Sequence, residues 1–516
     1  MNVALVAEML PAVELSERRR RLTLVAMCTG QGMILLDNTI VNVALPSIQT
    51  GLGVTPGNLE WVVNAYVLAL AALVLVGGTL GDRYGRKRVF VAGLVVFTAG
   101  SAACALAPDD PLLVGFRALQ GAGAALMAPL TLAILIDAYP GERRTAAIGV
   151  WAAAAGIGFG AGPVVGGVLI GLFDWSAVFW VNLPIGIAAL VLTLRVVRES
   201  RDPHARRPDP VGALLSGGAV FLFTFALIET NEHAWLSSYT IALLASAALL
   251  LAAFVAWELR VPDPMVEFGL FRSRRFVTGS VVYGVAYLAL AGMFFFMTLY
   301  FQNVRGWSAL ETGLSWIPLN APFLAVTPFA GRIVARFGSR DTSAFGVLVA
   351  GLGTLGLATL GLDSSYGIAA ACYVLLGLGY GLLVPAISSA AMGAVPPAHS
   401  GIGSGILNAS RQVGAAVGLA ALGSISVAAV SRTWDERVAA MPADLRAEAG
   451  RLVQRVAGAE DGEVARALGR QAVEPAREAF MSGLHAGLWV AGAAMLAAAV
   501  LAWAGLRAPV VARRRS

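Results

Sequence analysis

Apolar residues in this chain fall into long runs that recur from end to end. Fourteen can be marked, each about 18 residues or longer, enough to cross roughly 30 Å of hydrocarbon as a helix. The first six lie near residues 22–44, 59–80, 88–107, 111–137, 145–170 and 177–197. Two follow near 211–230 and 239–258, then six near 276–301, 312–333, 342–361, 366–391, 400–428 and 481–506. The pattern predicts an all-α polytopic membrane protein with fourteen transmembrane helices.

Polar residues between the runs set the orientation. One set of loops holds Arg83, Arg86, Lys87 and Arg88, then Arg143 and Arg144, Arg195 through Arg207, Arg272 to Arg275, and Arg332 to Arg340. The short loops of the other side hold essentially Arg305 alone. Basic loops stay in the cytoplasm, so both termini are expected there. The stretch before Arg18–Arg21 carries Glu8, Glu14 and Glu17 and no cleavage site follows, which reads as a cytoplasmic tail, not a secretory signal. The expected divisions are a tail at 1–21, six spans within 22–198, a linker with two inserted spans at 199–275, six spans within 276–506, and a tail at 507–516. An outer loop at about 431–478 interrupts the last group with eight arginines and nine acids. Long loops cross largely regardless of charge. Its Ala/Arg/Glu/Leu content predicts a short amphipathic helix, read as a solvated elaboration, with a lid over the exit as the alternative.

Composition agrees with the pattern: 58% of the 516 residues are hydrophobic and 13% charged, too few charges to coat a soluble chain of this size. The net charge of +6 is scattered between spans rather than gathered in a patch, so nucleic acid is not an expected partner. Lys87 is the only lysine, a usage that suggests a GC-rich bacterial genome. Cys28, Cys104 and Cys372 all fall in apolar segments and form no CxxC pair, which reads as packing and not metal binding. Neither a phosphate-binding loop nor a nucleophile–base constellation is present, so no ATP-driven step, catalytic residue or cofactor is expected.

Two segments repeat one another. Gly78-Thr-Leu-Gly-Asp-Arg-Tyr-Gly85 and Gly331-Arg-Ile-Val-Ala-Arg-Phe-Gly338 each have glycines seven apart and an arginine before an aromatic, with Ala335 standing where Asp82 does. This points to duplicated halves, with a substrate site near the midplane between them.

Asp37 lies inside an apolar span, where a charge is costly and usually functional. At about 1.5 Å per residue it sits roughly 22 Å from the inner end of its helix, and Arg117 about 9 Å from the outer end of another. Both are therefore expected in the outer half at similar depth. A neighbouring arginine favours a charged carboxylate and apolar burial favours the neutral acid, so a conformational change could load and release a proton at Asp37. The alternative is an ion pair that only locks helices. Spans nine and ten are rich in aromatic, Met and amide side chains, among them Tyr287, Met293, Phe296, Tyr300, Trp316 and Asn320. Such a wall suits varied apolar cations. Phe294, Phe295 and Phe296 cannot share one face, being about 100° apart. Arg411, roughly 16 Å into its span, meets either anionic substrate groups or backbone carbonyls.

The string Gly78-x-Leu80-Gly81-Asp82-Arg83-x-Gly85-Arg86-Lys87-Arg88 resembles the loop signature of the major facilitator superfamily. Leu36-Asp37-Asn38-Thr39-Ile40 and Arg117-x-x-Gln120-Gly121 look like motifs of its fourteen-span drug:proton antiporter family, and Gly158-x-x-x-Gly162-Pro163-x-x-Gly166 like the signature that separates exporters from importers. Trp180-Val181-Asn182-Leu183-Pro184 and Asn408-Ala409-Ser410-Arg411-Gln412 continue the pattern. The resemblance implies two six-helix bundles plus two inserted helices, and a monomer in a bacterial inner membrane. It implies proton-coupled efflux of hydrophobic or cationic small molecules. A dedicated exporter of one self-made metabolite and a proton-coupled importer are the alternatives. Asp37 and Arg117 would couple protons. Gly78, Asp82, Arg83, Gly85 and Arg86 would gate, together with Gly158, Gly162, Pro163 and Gly166. Asn38, Gln120 and Glu229 join Arg411 and the aromatic wall as substrate candidates. Few acids besides Asp37 lie in the spans, which argues against divalent cations.

Overall fold

The computed structural model describes residues 16–52, 56–139, 143–201, 209–229, 237–261, 264, 266, 268–396, 399–439, 441 and 443–506. Outside them lie most of the expected amino-terminal tail, the carboxy-terminal tail and most of the loop from Arg201 to Arg207; the Pro163 side chain is likewise not described.

The principal helices are α1 (Glu17–Leu52), α2 (Pro56–Tyr84), α3 (Arg86–Ala105), α4 (Asp110–Ala138), α5 (Arg143–Leu172), α6 (Ala177–Val196), α7 (Pro210–Glu229) and α8 (Ser238–Glu258). They continue with α9 (Arg274–Leu299), α10 (Ile317–Val326), α11 (Ala330–Leu357), α12 (Tyr366–Met392), α13 (Ser400–Ala439) and α14 (Val473–Gly505). Twelve helical stretches among the described residues are long and apolar enough to cross a membrane, thirteen if the bent α5 is one span. The stretch 311–357 counts once in that tally, yet Gly338 inside it is non-helical at φ 83°. Local chemistry sets several starts: Asp109 accepts from Leu112 N ahead of α4, and Ser273 accepts from Phe276 N ahead of α9. In α5, the segments 146–162 and 164–172 meet at 40°, a break that falls at Pro163.

Helices α1 to α6 pack as one bundle and α9 to α14 as another, while α7 and α8 pair with each other and α7 leans on α2 and α13. The repeat read from sequence is visible in the backbone. Gly85 (φ 108°) and Gly338 (φ 83°) hold the same left-handed turn at corresponding places, a conformation that glycine adopts without steric cost. Gly78 abuts Gly401 at the start of α13, and Gly331 abuts Ala146 at the start of α5. Each copy thus docks against the opposite bundle.

The segment expected as an outer, solvated loop at 431–478 is folded into packed helices. Helix α13 runs on to Ala439, and three short helices (Ala443–Arg451, Val453–Ala457 and Asp461–Leu468) fold back on it and on α14. Trp434, Ala449, Val456, Val464 and Leu468 form their own apolar core, and the Trp434 indole donates to Ala449 O at 2.8 Å. The physical reason is burial: the apolar faces of these short amphipathic helices find a partner in the extended ends of α13 and α14.

Candidate functional site

At the heart of the first bundle, Asp37, Arg117, Gln120 and Asn182 are each fully buried. Arg117 Nη1 donates to Asp37 Oδ2 at 2.6 Å. Asp37 Oδ1 accepts from Gln120 Nε2 at 2.7 Å and from Asn182 Nδ2 at 2.9 Å. Three donors therefore converge on one carboxylate, which as an anion only accepts. The arrangement complements its charged form. Arg117 is held in turn: Nε donates to Val62 O at 2.9 Å, Nη1 to Gln120 Oε1 at 2.7 Å, and its guanidinium lies 4.4 Å from the Tyr66 ring centre. Ser101 fixes Asn182, accepting from Nδ2 at 3.1 Å and donating to Phe179 O at 2.9 Å. Five helices (α1, α2, α3, α4 and α6) contribute to one sealed network, so its members cannot change partners singly.

Next to Asp37, Thr39 performs a second task. Pro163 has no amide hydrogen, which leaves the carbonyl of Phe159 without its usual helical donor. Three carbonyls lie within reach of the single Thr39 hydroxyl hydrogen, Phe159 O at 3.0 Å and Leu35 O and Leu36 O of its own helix at 3.2 Å each; the nearest is the one left without a helical donor. The stripe Gly158, Gly162 and Gly166 faces the same way: a Cβ at Gly158 would strike the Gly32 carbonyl, one at Gly162 the Thr39 hydroxyl, and one at Gly166 Ile40. This stripe seats α5 on α1 within its own bundle. A different set, Gly149, Gly156 and Gly160, faces the other bundle at Thr327, Phe323 and Asn320.

At the arginine-rich end, Asp82 joins the halves. Its carboxylate accepts from the backbone N–H groups of Gly401 (3.0 Å) and Ile402 (2.9 Å), the first residues of α13 after Ser400. It also accepts from Arg86 Nε at 2.9 Å and Nη2 at 2.7 Å. A carboxylate there satisfies free amides and meets the positive end of the helix. Ser404 Oγ adds a bond to Pro129 O at 2.8 Å. Gly85 leaves room for Glu199, whose carboxylate accepts from Lys87 N and Arg88 N. Arg83 sits half-buried beside this junction.

The aromatic wall divides three ways. Phe294 faces the first bundle, with ring centres 4.9 Å from Phe159 and 4.4 Å from Trp316. Phe295 is exposed, and Phe296 turns inward onto Gly487 of α14. Met293 and Phe296 were expected to meet substrate; both are instead packed in the second bundle's core with no accessible surface to offer. Tyr300 is a similar correction, since its hydroxyl donates to Gly361 O at 2.8 Å, in the turn between α11 and α12. A helix that is apolar all round gives no sequence sign of which face is which. Tyr287, Trp316 and Asn320 do lie along the seam: Tyr287 under Arg411 (5.4 Å), Trp316 on Phe294, and Asn320 at Gly160. Gln120 belongs to the Asp37 network, while Asn38 is half-buried one residue on. Glu229 ends α7, whose Phe225 packs on Trp61 at the flank of α2. An apolar groove of about 580 Å³ lies between α2 and α7, lined by Leu73, Val76, Leu214 and Phe221. With Leu73, Leu214 and Phe221 exposed, it is a seam on the bundle's flank, away from Asp37.

Asn182, Tyr66, Ser101 and Thr39 were not singled out from sequence as site residues. An amide deep in an apolar run was the available sign for Asn182; nothing in the sequence links Thr39 to a carbonyl 120 residues away.

A family model described as Major Facilitator Superfamily matches residues 27–419. The multidrug resistance protein Stp of Mycobacterium tuberculosis is 37% identical over 94% of this chain and 92% of its own length. The tetracenomycin C resistance and export protein of Streptomyces glaucescens is 34% identical over 93% of this chain and 90% of its own. Among solved structures, the human organic anion transporter MFSD10 superposes with a TM-score of 0.63 over 94% of this chain and 99% of its own, at 15% identity. That last likeness concerns the fold alone.

Proposed function

Because the chain belongs to the major facilitator superfamily, as a multi-pass membrane protein, we propose that it is a proton-coupled exporter of hydrophobic small molecules. The observation that carries this reading is the Asp37 network: a carboxylate sealed within apolar spans, with its anionic form matched by three donors that must rearrange before a proton can enter. Relatives of more than 30% identity along nearly the whole chain are drug- and antibiotic-resistance or export proteins, which supports the export direction.

In this reading the arginine-rich end is cytoplasmic, both termini lie there, and the membrane is the bacterial inner membrane. Fourteen spans result when α5 is one bent span and the stretch 311–357 turns at Gly338 to give two. The halves are closed at the cytoplasmic end by Asp82 on α13. Export begins when that junction opens, substrate enters between α2, α9 and α13, and the junction closes again. Protonation of Asp37 from outside weakens its hold on Arg117, Gln120 and Asn182, and their regrouping returns the carrier inward. The proton gradient is the energy source, no cofactor takes part, and one chain holds the whole pathway.

Expression in an efflux-deficient bacterium tests the proposal. Tolerance to hydrophobic antibiotics should rise at least several-fold, fall on addition of a protonophore, and be absent with Asp37→Asn at equal membrane abundance. Tolerance insensitive to the protonophore would contradict it. One relative's printed role in the export of a single antibiotic favours a second reading, a dedicated exporter, which predicts tolerance to one compound only.

A further inference from the structure

Arg411 is 8% exposed and makes no ion pair or hydrogen bond among the described residues. Its guanidinium rests over the Tyr287 ring at 5.4 Å. Among the described residues no other buried arginine is so placed, for Arg117 is neutralised by Asp37 and Arg86 by Asp82. A buried cation without a counter-ion is costly and stays where something uses it.

Packing puts this charge between the halves. On the antiparallel pair α2 and α13, Gly78 meets Gly401 and Leu75 meets Gly405. Continued outward, that register sets Arg411 level with Leu68, within a turn of Tyr66. Tyr66 is the ring that covers Arg117, so Arg411 borders the Asp37 network without joining it. Along α9, Tyr287 and Phe294 are seven residues apart, hence on one face and about 10 Å from each other. Phe294 carries the Phe159 and Trp316 rings with it. The seam therefore offers an unpaired guanidinium at one point and an aromatic cluster one ring-system away.

We propose that Arg411 is the charge-recognition point of the substrate site, and that the exported molecules carry an acidic group, a carboxylate or phenolate, beside an aromatic body. A planar guanidinium matches such oxygens with two parallel bonds. Asp37 and Arg117 cancel, so the net charge deep in the seam is positive, which disfavours the permanent cations expected from the aromatic wall alone. The inference rests on the carrier reading above for the word exported, but the binding claim stands by itself.

Fluorescein and rhodamine 123 are xanthene dyes of similar size and opposite charge. Their binding to the purified full-length chain in nanodiscs, read by anisotropy at pH 8, tests the proposal. Fluorescein should bind at least about tenfold more tightly, the effect of one charge-assisted bond. Arg411→Gln should erase that preference, Arg411→Lys keep part of it, and Arg411→Glu reverse it. A merely structural arginine would lower the melting temperature in these variants without moving the ratio. Equal or tighter binding of rhodamine 123 by wild type overturns the proposal, as does a folded wild type that binds neither dye; this comparison needs no variant to fold. Proton-driven fluorescein uptake into everted vesicles reads the carrier function separately. Charge-selective binding without uptake would sink the exporter reading and leave the role of Arg411 intact.

Discussion

At the scale of single residues, the account turns on what Asp37 is bonded to. Removing one partner of a buried ion pair leaves the other charge uncompensated, at a cost of about 3–5 kcal/mol. Asp37→Asn should therefore lower the thermal stability of the detergent-solubilised protein as well as its activity. The double variant Asp37→Asn with Arg117→Gln should be less destabilised than the two single effects added, the mark of direct coupling. Thr39 makes a sharper case because it carries no charge. Thr39→Val keeps the shape but leaves Phe159 O without its cross-helix donor, and should cost about 1–3 kcal/mol; Thr39→Ser should restore most of it. Both are read from unfolding curves at matched detergent. Asp37 and Arg117 were legible in the sequence because charge in an apolar span has few explanations. Thr39 was not, because its partner is a backbone carbonyl made available by a proline on another helix.

Helices and their contacts carry the next set of consequences. Gly158, Gly162 and Gly166 let α5 lie against α1, and the atoms they meet at Gly158 and Gly162 include backbone, which cannot step aside. Gly158→Ala should force α5 off α1 and destabilise by about 1–3 kcal/mol, in the range of other overpacked cores. Gly167→Ala, where a Cβ would meet nothing within 4 Å, should be neutral in the same melt. The glycine motif could be seen in the sequence, but not its direction. It faces the neighbouring helix of its own bundle, and the plainer set Gly149, Gly156 and Gly160 faces the other half. The aromatic wall of α9 shows the same limit, since only Phe294 of its three adjacent phenylalanines reaches the seam. The segment 431–478 could be read as helical from its composition, but not as a packed cap, because the core that holds it is assembled from α13, ending at Ala439, and α14, beginning at Val473.

For the molecule as a whole, the duplicated loops differ at one position with a mechanical consequence. Asp82 caps α13 across the halves, whereas Ala335 offers α5 no such bond, so the junction at the basic end is asymmetric. Asp82→Ala removes two backbone bonds and the Arg86 pair, and should shift the population toward a state open at that end. Ser404→Cys, in a chain freed of Cys28, Cys104 and Cys372, reports on this state. Its labelling by a membrane-impermeant maleimide in everted vesicles should quicken at least about tenfold with Asp82→Ala. An unchanged rate would show that other contacts keep the junction shut. The two-bundle plan with an inserted pair was legible from apolar runs, arginine placement and the repeated loop. In the sequence Asp82 read as a gating residue; the structure gives it two partners, the start of α13 and Arg86.

Proton movement coupled to substrate tests the central claim most directly. Everted vesicles with an acidified lumen, monitored by a pH-sensitive dye, would receive fluorescein, chloramphenicol and ethidium in turn, so that the outcome does not depend on substrate charge. The account predicts that at least one compound releases protons from wild-type vesicles and that none does so with Asp37→Asn at equal abundance. Substrate accumulation without proton release in wild type, or undiminished release in the variant, would contradict it.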